Sequence, residues 1–193
     1  MPQTSQPGNF CFMSDCEEKQ ETPSRPDERG DRRQERVREL VAWLRGQGPR
    51  GALEQGREVL ARHRGDGRPA AYCCLGVACE VAMAGGVEVV WSLKRDDDWF
   101  LWCGPSQKGT EAFHTTSAPP SLVREWFGFG RPNPWLQVPP QMVAEHRVPQ
   151  RITAFQANDF YRFTFEQIAD LFEYTYVRRD WEAKHGVAGS DAV

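Results

Sequence analysis

The chain has no excess of either charge. Its 24 Lys and Arg face 27 Asp and Glu, for a net charge of −3, so no overall basic field draws it to nucleic acid or to an anionic membrane. The charge is uneven along the chain: residues 25 to 68 hold twelve arginines against eight acids, and residues 69 to 193 hold eleven basic residues against fifteen acids. It also lacks a long uncharged apolar run. The most apolar region, residues 69 to 93, lies between Arg68 and Lys94 and carries Glu80, Glu88 and paired glycines within it, which excludes an 18-residue membrane span. The opening "MPQTSQPGNFCFMSDCEEKQ" couples no basic region to an apolar stretch, so no secretory signal is expected and the chain reads as cytoplasmic. Repeats are absent. So is a glycine-rich phosphate loop, because "GQGPRG" follows a helical pattern and not a strand. Without an export signal, the six cysteines read as reduced thiols and not as a disulfide framework.

Residues 1 to 33 are polar and poor in large apolar groups, which predicts a disordered tail. A compact mainly helical domain over 34–184 and a flexible end at 185–193 complete the expected organisation. In the domain, Val37, Leu40, Val41 and Leu44 recur at helical spacing and the glycines from Gly46 to Gly51 stop the helix. "ALEQGREVLARHR" is expected to form a second helical piece, and "GDGRPAA" a loop. "YCCLGVACEVAMA" predicts a helix over 72–84 closed by Gly85 and Gly86. "VEVVWSL" and "WFLWC" flank "KRDDD" and predict a hairpin. "PPSLVREWFGFG" predicts a short helix between Pro and Gly, and "NPWLQVPP" at most a short extended piece. Thr164 and Gln167 form a capping box ahead of Phe165, Ile168, Leu171, Phe172 and Tyr176, which share one side of a last helix. The fold class is therefore α+β, mainly helical, a small single domain with one β-hairpin.

Within this frame Trp43, "EQG" at Gln55 and Gly56, "YCCLGVAC", "PPSLVREW", "AND" at Asn158 and Asp159, and "FTFEQIADLFE" follow one another between residues 37 and 176. In order and spacing they resemble a family of small proteins of bacteriophages and actinobacteria that share a CCLG helix and a C-terminal ND…FxxIAD motif. Ala157 and "FYR" stand where that pattern has a leucine before Asn-Asp and a glycine soon after. The resemblance implies a compact intracellular domain and hints at phage and host interplay; it brings no established activity with it.

The residues pose one enzymatic possibility. A thiol at a helix N-terminus has its thiolate favoured by the helix dipole and free amides. Cys73 or Cys74 stands there, Gln55 offers an oxyanion donor, and Asn158 or Asp159 could orient a base. A cysteine-dependent hydrolase or transferase is thus the alternative function. It is short of a base, because His114 and His146 fall in expected loops. Against it stands packing: cysteine is often a small buried hydrophobe, and Cys74, Gly76, Ala78 and Cys79 let a helix approach its neighbours closely. On the helix Cys73 is expected to keep partial solvent access and an ordinary thiol pKa of about 8.5.

Zinc is a weaker fit. Cys73, Cys74, Cys79 and Cys103 lack the two-to-four-residue knuckles of structural zinc, and Cys11 and Cys16 sit in the tail. Three consecutive acids at 96 to 98 suit a solvated turn better than a cation site. Asn158 and Asp159 suit local turn and cap bonds. Arg32, Arg33, Arg36 and Arg38 alternate with Asp31, Glu35 and Glu39, which favours pairing on the helix surface over phosphate contacts. No cofactor or metal is expected. The favoured function is a small cytoplasmic accessory protein that binds another macromolecule, a protein and not nucleic acid.

Overall fold

The structure, a computed structural model, describes residues 26–63, 69–93, 98–103, 114–115 and 117–186. Its centre is α2 (Cys74–Ala84), whose residues from Cys74 to Ala82 are all buried. A helix apolar on every side must be wrapped on every side. On one flank lies α1 (Pro26–Leu44), which seats Val37, Leu40, Val41 and Leu44 in the core. α3 (Ser121–Phe127) contacts both, held between Pro120 and Gly128, whose left-handed φ of 68° ends it. A mainly antiparallel sheet lies beside them. Its strands are β1 (Glu54–Gln55), β2 (Ala61–His63), β3 (Pro69–Tyr72), β4 (Val89–Leu93), β5 (Asp98–Cys103) and β6 (His114–Thr115), in the order β1-β3-β2-β5-β4 with β6 on β5. Only β1 and β3 run parallel.

A second, two-stranded sheet joins β7 (Trp135–Gln137) to β8 (Arg151–Thr153) in antiparallel register, with α4 (Pro140–His146) between them in sequence. After β8 the backbone makes a five-residue π-helical turn, Gln156–Phe160. Then comes α5 (Phe165–Tyr176), where the Thr164–Gln167 capping box forms as expected and Phe165, Ile168, Ala169, Leu171 and Phe172 face the core against α1. α6 (Arg178–His185) closes the described chain and buries Trp181. Arg45 ties α1 to α5 through Asp170 and Glu173, each at 2.7 Å.

The chain is an α+β, mainly helical single domain, as its pattern suggests. Several local expectations need correction. α1 begins at Pro26, eight residues inside the stretch expected as tail. Proline suits a first helical position, and this polar end is held by aromatic rings of other elements: Arg33 stacks on Tyr176 and Arg36 on Trp126, whose carbonyl also accepts from it. Arg38 bonds Asp180 of α6 at 2.6 Å. These arginines thus join α1 to the rest of the domain and not only to acids on their own helix. Residues 1–25 and 187–193, with Cys11 and Cys16, lie outside the described residues, as do two of the three acids at 96 to 98. "ALEQGREVLARHR" is not helical but forms β1 and β2, because its backbone pairs with β3. The expected hairpin is the β4–β5 pair, from Val89↔Cys103 to Leu93↔Trp99, set inside a larger sheet. "GDGRPAA" ends in strand β3, and α4 and α6 arise where no helix was expected.

Candidate functional site

The five residues singled out by the sequence come together. Gln55 ends β1, Cys73 is the N-cap of α2, Cys74 is its first residue, and Asn158 and Asp159 lie in the π-helical turn. Asn158 is completely buried and joins its own turn to the other two segments. Its Oδ1 accepts from Gln55 Nε2 at 3.1 Å and from the Cys74 amide at 3.4 Å; its Nδ2 donates to the Gly56 carbonyl at 3.0 Å and to Asp159 Oδ1 at 2.6 Å. Both donors and both acceptor sites of the amide are engaged, which also fixes its orientation. Gln55 Nε2 donates its second hydrogen to the Phe163 carbonyl at 2.8 Å. Asp159 Oδ1 also accepts from the amide of Glu58, which stands at a left-handed φ of 69°. These bonds span about a hundred positions of sequence and close the loop 55–58 onto the turn.

The thiols are sealed behind this arrangement. Cys73 is only 7% exposed and Cys74 is buried, which corrects the expectation of solvent access at Cys73. The reason is where the helix starts. The helix begins one residue after Cys73 and two after the expected position, so Cys73 turns its sulfur back to accept from the Gly76 amide at 3.4 Å while its own amide donates to the Leu60 carbonyl at 3.0 Å. Cys74 Sγ donates to the Ala154 carbonyl at 3.6 Å. Burial pushes the Cys73 thiol up to about 12; the Gly76 and Leu75 amides oppose this, and the nearby Asp159 carboxylate adds to it. Burial also pushes Cys74 well up, reinforced by Cys73 and Asp159. The dipole advantage of a helix N-terminus is thus outweighed by desolvation.

Chemically the cluster is saturated. A donor for an oxyanion needs a free N–H directed at the reacting atom, and both hydrogens of Gln55 Nε2 are already bonded within the protein. A nucleophile needs a base within hydrogen-bond reach. Neither thiol hydrogen-bonds a histidine among the described residues. His146 ends α4 instead of lying in a loop, and it meets Gln167 Nε2 at 3.2 Å and the Phe163 ring at 5.0 Å between centroids. His114 lies on β6. Among the described residues no group of three or more His, Cys, Asp or Glu is gathered to hold a metal ion. What the cluster does is cap α2, fasten the 55–58 loop and fix the π-helical turn.

That turn carries two exposed rings. Phe155, just before it, is 42% exposed, and Phe160, its last residue, is 73% exposed. Phe160 sits edge-on to Tyr161 at 4.9 Å. The "FYR" that follows Asn-Asp is the sequence signal for this display.

A second polar cluster escaped the sequence reading. Glu80 of α2 is buried and accepts from Tyr72 Oη at 2.9 Å, Trp91 Nε1 at 2.7 Å and Arg50 Nη1 at 2.9 Å. Its carboxylate is compensated by hydrogen bonds and a guanidinium, as a buried charge must be. Among the described residues no helix is long and apolar enough to cross a membrane. No family model matches the chain, and neither the curated proteins nor the solved structures contain a match.

Proposed function

We propose that this protein is a small cytoplasmic accessory protein that works by binding another protein through the rings displayed on its π-helical turn. The observation that carries this is Phe160: a large apolar side chain, 73% exposed, on a turn fixed by a fully satisfied buried asparagine. Rigid display of an aromatic ring lowers the entropy lost on association, and aromatic side chains carry much of the energy of protein interfaces. The closed thiols and the saturated amides favour this function over cysteine catalysis. On the family resemblance alone, the setting is phage and host interplay.

A photoreactive phenylalanine analogue at position 160, with the same group at exposed Ala144 as control, tests the proposal. A protein crosslinked from position 160 and not from 144 is identified, purified and titrated against wild type, Phe160→Ala and Cys73→Ser. We expect Phe160→Ala to weaken binding by about tenfold or more and Cys73→Ser to leave it unchanged. Equal crosslinking from both positions, or a purified partner that binds Phe160→Ala as well as wild type, overturns it.

A further inference from the structure

Arg38, Arg45, Arg50, Arg62 and Arg178 each have a carboxylate partner. Four other arginines, Arg33, Arg36, Arg131 and Arg151, lie against aromatic rings instead. Arg131 and Arg151 lie 5.3 and 5.0 Å from the ring centre of Trp135, and Arg33 lies 4.9 Å from that of Tyr176. None of these last three is in a salt bridge among the described residues. Arg131 and Arg151 share the Trp135 ring, and burial raises the Tyr176 phenol while Arg33 and Arg151 act on it in the opposite direction. Strand alternation explains why the face points outward. Leu136 and Ile152 are buried, so Gln137 and Arg151, paired in register, project from the other side of the small sheet beside Trp135 and Thr153. Next to them opens a cavity of about 520 Å³ lined by Val138, Pro140, Val143 and Tyr174, with Gln137, Gln150 and Arg151 contributing polar groups.

We infer that this outward face of β7 and β8, with its arginines and the adjoining cavity, is the docking surface for an acidic protein segment that places an apolar side chain in the cavity. A guanidinium stacked on a ring keeps its N–H edge free and loses little further freedom when it grips a carboxylate. Exposed Arg131 and Arg151 therefore supply charge complementarity in a protein whose own net charge is −3. The cavity falls within the size range of ligand sites, and its lining is mixed: Val138, Pro140, Val143 and Tyr174 offer contact to an aliphatic side chain while Gln137, Gln150 and Arg151 offer polar contact beside it. Nucleic acid fits less well, because backbone binding rests on a run of several phosphate contacts and this face presents two exposed guanidiniums, those of Arg131 and Arg151.

The assignment rests on the protein-binding function proposed above, and one set of titrations separates the two. The probes are a short fluorescent peptide of Glu and Leu, the same peptide with Gln for Glu, and a labelled single-stranded DNA of similar length. The proteins are the full chain, Arg131→Gln/Arg151→Gln and Phe160→Ala, each checked for folding by circular dichroism. We expect saturable binding of the Glu peptide that weakens with salt, at least about tenfold weaker binding of the Gln peptide, and a loss of about tenfold or more in the double variant. Phe160→Ala should bind the Glu peptide like wild type. Equal binding of the two peptides, no saturable binding, or an undiminished double variant overturns the inference. DNA binding tighter than the Glu peptide and lost in the double variant also overturns it, by assigning the face to nucleic acid. Should the double variant still bind a protein captured at position 160, the arginine face alone is wrong and the Phe160 proposal stands.

Discussion

Replacing Asn158 by alanine probes the buried clasp most directly. The substitution removes four hydrogen bonds at once, but their costs differ. The Gly56 carbonyl, partly buried, loses its side-chain donor. The Cys74 amide loses a bond that is long at 3.4 Å. Gln55 Nε2 keeps Phe163, and Asp159 keeps the Glu58 amide. Two partial orphans and the void left by the amide together amount to a loss of about 3 to 5 kcal/mol. For a chain of this size that lowers the melting temperature by about 6 to 20 °C. Urea unfolding followed by tryptophan fluorescence measures it, with the m-value checked against wild type. Asn158→Asp sharpens the test. It keeps an acceptor for Gln55 and Cys74 but sets a buried carboxylate beside Asp159 and against the Gly56 carbonyl, which raises its folded pKa above the unfolded value. The folded variant then binds protons more tightly than its unfolded chain, so the stability gap to wild type should narrow as pH falls from 7 towards 4. An Asn158→Ala cost below about 1 kcal/mol, or an Asp variant with a gap independent of pH, refutes the structural role given to this residue.

Gly76→Ala should cost about 3 kcal/mol or more, because a Cβ there would stand 1.8 Å from the Leu60 carbonyl oxygen and 2.7 Å from its carbon, both backbone atoms; denaturant midpoints decide it, and a neutral result would mean that α2 and Leu60 are not in close contact. Ile168→Ala, at a fully buried position on α5, should cost about 2 to 4 kcal/mol; a loss under about 0.5 kcal/mol would remove that face from the core. The Cys73 thiol, raised to about 12 in the fold from an unfolded value of about 8.5, contributes stability that is complete below the unfolded value and fades as pH rises through the folded one. Unfolding midpoints of wild type and Cys73→Ala between pH 7 and 10.5 should therefore converge on the alkaline side, and the folded thiol should alkylate slowly throughout; fast alkylation at about pH 6 would restore the cysteine-enzyme alternative.

What the sequence makes legible is what neighbours in sequence decide. The start of α5 is written in Thr164 and Gln167, and α3 in the proline before it and the glycine after it. The stripe on α1 is visible because four apolar residues repeat at helical spacing. The segment from 52 to 63 misleads for the opposite reason. Its composition suits a helix, but Gln55 is drawn to Asn158 and Glu54–Gln55 pairs with Ala71–Tyr72, and such tertiary bonds override a weak local preference. α6 is polar on most of its surface, and α4 buries none of its residues, so neither leaves much periodic signal. At the candidate site the residue types were readable, and so was the set of five. That every donor of Gln55 and Asn158 is already engaged was not, because it depends on the backbone angle of a π-helical turn that no short-range rule announces.

The packing of α1 against α5 and the Arg38–Asp180 bond, 142 positions apart, have a consequence for synthesis. A ribosome adds about 5 to 20 residues per second, so α1 waits many seconds before α5 and α6 leave the exit tunnel. Until then the stripe of Val37, Leu40, Val41 and Leu44 has only the cover that α2 and α3 give it. Maturation of the domain is therefore a late event in synthesis, and a message truncated before the codons of α5 yields a product that chaperones must hold and proteases can clear.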